Sequence, residues 1–243
     1  MPKPVYIAAA LVAAAAFAGC ASTPPPPIRA ADPVQPAERR MPLQPDPQMT
    51  AGADRDLALA YIDATLDVIG SPAFAANLAG IGEDLGPIWL SPFGGTLSSE
   101  QVAAAYLGHV AAHRAVDSRL RWGSDWEAVA NWTPDPGYVS IEIGRRHGER
   151  WASGNVVARS CAVNTLAHEL AHTIPQAQGS FRYLFTDGKR WWATLRKRSL
   201  ASYTIGAVAQ CTYLDQHGAR TDDSFPACVR RWGRNRFLSG ACG

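Results

Sequence analysis

Two histidines and a glutamate stand within five residues of the segment "TLAHELAHTI", 165–174. On a helix, residues four positions apart lie on the same face, so His168 and His172 would offer two imidazole nitrogens to one ion. Catalytic zinc takes three protein ligands and keeps a fourth position open. Glu169 would take a proton from a zinc-activated water, whose pKa falls to about 7. The pattern is therefore typical of hydrolysis at a zinc centre.

The context of the motif also favours a metal site. The residues around it are apolar: Val163, Leu166, Ala167, Leu170, Ala171 and Ile174. We therefore expect a buried helix, and a buried histidine pair beside a glutamate needs partners, which a metal supplies.

A second histidine pair is not expected to bind metal. His109 and His113 are also four apart, but no acid stands between them, and the polar face of a helix accounts for both. We expect His147 and His217 on the surface.

Apolar periodicity predicts an α+β domain. Helical spacing is found over 53–70, 98–120, from about Ala162 through the motif, and 201–215. Strand alternation is found over 137–146, with a second candidate strand at 155–160. Asp187-Gly188 predicts a hairpin turn within 180–195. The tail, 218–243, is expected to be rich in loops.

The N-terminus predicts export. Residues 1–19 have the basic start and short apolar run of a signal peptide, and "FAGC" resembles a bacterial lipobox that would acylate Cys20. Residues 20–50 are dense in proline and predict a spacer, which leaves 51–243 as one domain. A plain signal peptide is the alternative. The lipobox implies an envelope lipoprotein on a lipid membrane, and Ala21-Ser22 after Cys20 favours the outer one, facing the periplasm.

Four cysteines remain beside Cys20, and an even number in an exported domain predicts two disulfides. Three connectivities are possible. We predict Cys161–Cys211 and Cys228–Cys242, the second because its loop is short. A zinc site of four thiolates is disfavoured, since no C-x-x-C pair exists. The formal net charge of +2 gives no case for nucleic acid as a partner.

The motif makes the chain resemble the zincin metallopeptidases. This resemblance implies a zincin-like domain in which a small sheet packs on the motif helix. Two branches of the family do not fit. Pro175 and Gln178 stand where the metzincin extension has a glycine and a histidine. Gluzincins require a glutamate on a later helix, and no glutamate follows Glu169.

The third zinc ligand is best matched by Asp187, through a loose resemblance to aspzincins. That family places an aspartate after a threonine-containing turn, with a tyrosine and a glycine beyond it. Here Thr186-Asp187 ends 15 positions after His172, and Tyr203 and Gly206 follow. Asp215 is the second candidate, because it ends a helix that could pack on the motif helix. The remaining candidates are His217, Asp222 and Asp223, and Asp187 itself is alternatively a simple turn residue.

The resemblance extends to substrate handling. It implies that Tyr203 donates a hydrogen bond to the developing oxyanion, although a core role is the alternative. It also implies that the strand "YVSIEIG" is an edge strand that pairs with an extended substrate.

We therefore expect a zinc peptidase of the bacterial envelope, acting on peptides or proteins. The first alternative is a metal-binding envelope lipoprotein without turnover. The second is an envelope adaptor in which the motif is accidental and no metal binds.

Overall fold

Two long helices that pack on each other form the centre of the protein: α6, Val156–Ala171, and α7, Ala201–Gln216. The structure, a computed structural model, describes residues 43–49, 52–91, 95–111, 117–123, 128–133, 138–176, 184–187 and 200–234. Helix α6 is buried from Ser160 to its end. Its interior position explains why the apolar residues around the histidine motif extend to every side of the helix.

Helix α6 begins earlier than the sequence predicts. Asn155 has extended backbone angles, and its Oδ1 accepts a hydrogen bond from Ala158 N at 3.0 Å. This cap satisfies a backbone donor that the first helical turn would leave open. The predicted strand over 155–160 is therefore wrong, because capping and burial outweigh the strand preference of Val156 and Val157.

The remaining helices pack against this pair or against one another. Helix α5 directly precedes α6 in the chain. The remaining helices are α1 Ala53–Ile69, α2 Pro72–Gly80, α3 Gly82–Leu85, α4 Ser99–Ala111, α5 Arg145–Ala152 and α8 Phe225–Arg234. The α+β class is thus confirmed, as are the predicted helices at α1 and α7. The tail is not simply loop, since α8 lies within it.

A mixed four-stranded sheet packs against α6. Its strands are β1 Leu43–Pro45, β4 Asp117–Gly123, β5 Ala128–Thr133 and β6 Tyr138–Gly144, in the order β1-β4-β6-β5. Strand β6 pairs in parallel with β4 and antiparallel with β5. A separate two-stranded ribbon pairs β2, Ile88–Trp89, with β3, Thr96–Leu97.

Strand β6 confirms its predicted alternation but not its predicted position. Val139, Ile141 and Ile143 are completely buried. The strand nevertheless lies between two partners, so the prediction that it forms a sheet edge is wrong. Among the described strands, the edge beside it is β5, which also packs on α6.

Two predicted boundaries are corrected by this sheet. The helix expected over 98–120 ends at Ala111, and β4 begins at Asp117. The spacer expected to reach residue 50 contains β1, which pairs in parallel with β4. Both corrections have one cause: short segments of weak local preference become strands when a neighbouring strand satisfies their backbone groups.

The disulfide prediction is wrong in its pairing. Cys211 on α7 is bonded to Cys228 on α8, with a Cα–Cα distance of 6.1 Å. Since each cysteine forms one bond, neither predicted pair can exist. Cys161 is also disulfide-bonded, and Cys242 lies outside the described residues. The packing of α8 on α7, which the sequence does not predict, brings the two sulfurs together.

The predicted signal peptide 1–19, Cys20 and most of the predicted spacer lie outside the described residues, as do His113 and most of the predicted hairpin. Among the described helices, no single one is long and apolar enough to cross a membrane. Helix α1 and the segment Pro72–Leu85 together meet the length and composition of a span, but bend by 58°.

Helices α6 and α7 approach closely at Gly206. A Cβ atom placed there would lie 2.9 Å from the backbone oxygen of Asn164, closer than real Cβ contacts. We expect Gly206→Ala to destabilise the protein by about 1–3 kcal/mol, because the helices would have to separate. Urea unfolding with intact disulfides measures this.

Gly108 on α4 is the matched control for that substitution. Nothing lies within 4 Å of a Cβ at this position. Alanine there removes only the helical disadvantage of glycine and is expected to raise stability by up to about 1 kcal/mol. Equal effects of the two substitutions would contradict the close approach.

Candidate metal centre

The last turn of α6 presents the motif. His168 and Glu169 are 2% and 3% exposed, and His172 is the residue that ends the helix. The imidazole rings of His168 and His172 lie 4.8 Å apart, centre to centre, and nearly perpendicular. The four-residue spacing therefore places both rings on one side of the helix, as predicted.

Asp187 reaches these rings from a segment that returns alongside α6. Leu184 N donates to Ile174 O at 2.8 Å, and Thr186 N donates to Leu90 O at 3.0 Å. These two backbone hydrogen bonds fix the segment between the end of α6 and the β2 region. They bring the Asp187 carboxylate to the histidines.

Three potential ligand atoms converge in this way. His168 Nε2 lies 2.9 Å from Asp187 Oδ2 and 3.2 Å from His172 Nε2, and His172 Nε2 lies 3.3 Å from Asp187 Oδ2. Among the described residues, His168, His172 and Asp187 form the group of histidine, cysteine and acidic side chains able to hold a metal ion. Asp187 is thus the sequence candidate that the fold brings to the motif.

The spacing of these atoms fits zinc. Tetrahedral ligands with bonds of about 2.0–2.1 Å lie about 3.3 Å from one another, and the three observed separations are close to that value. Two imidazole nitrogens and a carboxylate oxygen are also donors that zinc accepts. The side chains of His172 and Asp187 are 15% and 26% exposed, so the centre opens toward solvent.

The tautomer of His172 is set by its second nitrogen. Nδ1 lies 2.9 Å from the carbonyl oxygen of Phe185. Because a carbonyl only accepts, Nδ1 carries a hydrogen, and the neutral ring then has its lone pair on Nε2, facing the cluster. Supporting hydrogen bonds of this type orient histidine ligands in metal sites.

Charges within the cluster are strongly coupled. Burial disfavours charge on His172, but the hydrogen bond and charge of Asp187, aided by Glu169, outweigh it and raise the pKa of His172 to about 9. Burial alone would raise the pKa of Asp187, but the two imidazoles lower it far below its usual range. Without metal, a protonated histidine therefore offsets the carboxylate.

This coupling predicts that zinc uptake releases protons. The raised pKa keeps His172 mostly protonated at pH 7 in the metal-free protein, and the ring must be neutral to bind zinc. Zinc affinity should therefore rise about tenfold per pH unit, for one proton, between pH 7 and pH 9. Calorimetry at pH 7 in two buffers of different ionisation enthalpy measures the protons released. A binding enthalpy that does not depend on the buffer would contradict the prediction.

Glu169 lies beside the cluster rather than in it. Its Oε1 is 3.8 Å from His168 Nε2, beyond hydrogen-bond distance. A carboxylate that lies close to one of the three potential ligand atoms but outside their group suits a base more than a ligand.

Helix α7 contributes two further side chains. The half-buried Tyr203 places its ring 4.6 Å from that of His168, centre to centre, edge-on. The hydroxyl of Ser202 donates to Asp187 Oδ1. Tyr203 was a sequence candidate, whereas Ser202 was missed, and only its position next to Tyr203 could have drawn attention to it.

The other sequence candidates lie away from the cluster. Asp215 is exposed at the far end of α7 and pairs with Arg220. Asp222 lies 3.5 Å from Arg231. The remaining two candidates, His217 and Asp223, are exposed.

The predictions for the other two described histidines need revision. His147 is 6% exposed and its Nδ1 lies 3.3 Å from Thr165 Oγ1, so its predicted surface position is wrong. Its spacing of four from Trp151 on α5 is the sequence signal of that buried face. His109 was expected on the polar face of its helix, but it is half-buried and lies 3.1 Å from Thr173 Oγ1. Burial lowers the pKa of His109 to about 4.

Comparison of the chain with protein-family models, curated proteins and solved structures found no match.

Proposed function

We propose that the protein is a zinc-dependent peptidase of the bacterial cell envelope. The observation that carries the proposal is the convergence of His168 Nε2, His172 Nε2 and Asp187 Oδ2 at separations suited to one tetrahedral ion. Asp187 comes 15 residues after His172 and lies outside α6, yet its carboxylate lies against both imidazole rings. Three protein ligands and access to solvent are typical of catalytic zinc, whereas structural sites are closed by a fourth.

The residues divide the chemistry among them. His168, His172 and Asp187 would hold the zinc, which would supply a Lewis acid and lower the pKa of water at the site. Glu169 accepts the proton of the attacking water and later delivers it to the departing amine. Its deep burial and its position beside the ligands, outside the cluster, support this role.

Tyr203 is proposed to stabilise the oxyanion. Its ring lies edge-on against the ring of His168, so Tyr203 borders the proposed zinc site. A phenol near a developing oxyanion contributes a hydrogen bond that matters more in the transition state than in the substrate complex. Tyr203→Phe tests this role: kcat should fall while zinc content and KM stay unchanged, and an unchanged kcat would assign Tyr203 to packing.

The fold supports binding of an extended substrate. A mixed sheet packs on the motif helix, the arrangement expected of a zincin-like domain. At the edge of the described sheet, β5 packs on α6, and the side chain of Val129 is 40% exposed. A peptide that pairs with β5 would lie along the helix that carries His168 and Glu169. The proposed substrates are therefore flexible protein segments.

The location is proposed from the N-terminus. The predicted signal peptide 1–19 would direct export and then be removed. Acylated Cys20 would attach the domain to the periplasmic face of the outer membrane. The Cys211–Cys228 disulfide supports an oxidising compartment, since such bonds are rare in the cytosol.

Metal content and proteolysis of the full chain test the function. We expect one zinc per chain and cleavage of an unfolded, fluorescently labelled protein, both lost on chelation and restored by zinc. His217→Ala is the control for the metal content, because it removes an exposed histidine away from the cluster. One zinc without cleavage would favour the metal-binding lipoprotein, and the absence of zinc would favour the adaptor.

A further inference from the structure

Ser202 is not one of the three potential zinc ligands, yet it contacts one of them, Asp187. It lies in the first turn of α7, is 1% exposed, and directs its hydroxyl at Asp187. Because a carboxylate accepts and does not donate, the serine Oγ donates the hydrogen to Asp187 Oδ1. A fully buried hydroxyl is thus committed to one oxygen of the proposed third ligand.

The two oxygens of Asp187 consequently have different partners. Oδ2 faces His168 Nε2 at 2.9 Å and His172 Nε2 at 3.3 Å, while Oδ1 accepts from Ser202. A carboxylate whose two oxygens are both free of other partners is able to bind one ion through both of them. The hydrogen bond to Oδ1 opposes this second mode, because binding through both oxygens would require the carboxylate to turn.

The serine is held on a rigid element. Asn164 Nδ2 donates to Gln210 Oε1 at 2.7 Å between α6 and α7, and Gly206 keeps the two helices close. Helix α6 carries both histidines, and α7 carries Ser202. The distance between the histidines and the serine is therefore set by a packed helix pair, and Asp187 is held between them.

We propose that Ser202 is a positioning residue that restricts Asp187 to metal binding through Oδ2 alone. This inference rests on the proposed zinc site. Its consequence is that the fourth position stays open to water, as catalysis requires. A serine that only anchored the 184–187 segment would affect stability without changing how the carboxylate binds.

Cobalt(II) in place of zinc distinguishes these roles, because its visible absorption is intense in four-coordinate sites and weaker at higher coordination. The full chain and its Ser202→Ala variant are loaded with cobalt, and zinc affinity is measured by competition with a chromophoric chelator. We expect a weaker cobalt band in the variant and a loss of zinc affinity of about 10–100-fold. Circular dichroism and thermal unfolding check that the variant is folded.

Ser99→Ala is the matched control. Ser99 is also a buried serine, on α4, and its Oγ donates to Ala79 O. It should keep the cobalt spectrum and zinc affinity even where stability falls. A double-mutant cycle adds specificity: Ser202→Ala should have little further effect on zinc affinity in an Asp187→Ala background.

Two results would overturn the inference while leaving the zinc site intact: an unchanged cobalt spectrum and zinc affinity in Ser202→Ala, or an equal effect of that substitution in the Asp187→Ala background. Failure of the unmutated chain to bind zinc or cobalt would instead overturn the proposed function, and the inference with it.

Discussion

Replacing Glu169 by glutamine is expected to lower kcat by about 10²–10⁴-fold while one zinc per chain stays bound. Glutamine has nearly the same shape as glutamate but cannot accept the proton. Glu169 lies 3.8 Å from the nearest ligand nitrogen and is not among the three converging side chains, so the ion should not depend on it. Cleavage of the labelled unfolded protein, with metal content measured on the same sample, checks both statements.

Glu149→Gln is the control for that experiment. Glu149 lies on α5, with its side chain 66% exposed, and loss of its charge should leave kcat unchanged. Full activity of Glu169→Gln would show that Glu169 is not the base that accepts the proton of the attacking water. Loss of zinc together with activity would instead make Glu169 a ligand.

Removing Asp187, the proposed third ligand, is expected to have the second large effect. Asp187→Ala should weaken zinc binding by at least about 100-fold, since a direct ligand contributes more than the supporting groups whose loss costs about 10–100-fold. His168→Ala should do the same, because its Nε2 lies within 3.2 Å of both other ligand atoms. Chelator competition on the full chain measures the affinities.

Asp215→Ala is the matched control and also decides between the two aspartates that the sequence left open. Asp215 is exposed and paired with Arg220. Helix geometry places it roughly 20 Å along α7 from Ser202, which contacts Asp187. Its removal should leave zinc affinity unchanged. If Asp215→Ala lost zinc and Asp187→Ala kept it, the proposed site would be wrong.

Much of the site is predictable because its spacing is local. His168, Glu169 and His172 lie on one helix, and the 3.6-residue period alone brings the two histidines to one side. The same holds for helices α1 and α7 and for the buried alternation of β6. Each of these depends on a periodicity within a few consecutive turns or residues.

Other features depend on contacts between separate segments of the chain, and no local sequence pattern specifies those contacts. The sequence offers Asp187 as one of several candidate ligands, and only the backbone hydrogen bonds of the segment 184–187 place it beside the two histidines. Ser202 carries no motif at all, and its role follows only from the packing of α7 on α6. The bond between Cys211 and Cys228 likewise reflects the position of α8.

The sheet shows the same division between local and long-range information. The alternation of β6 identified a strand but not its neighbours, so its predicted place at an edge was wrong. Strands β1, β4 and β5 have weak local signals and form because neighbouring strands satisfy their backbone groups.

By itself, the sequence determined the α+β class, the main helices and the two histidines with their glutamate. Only the tertiary structure decided the meeting of Asp187 with the two histidines, the Cys211–Cys228 disulfide and the sheet edge. Each of these joins separate segments of the chain, and packing rather than local pattern brings such segments together.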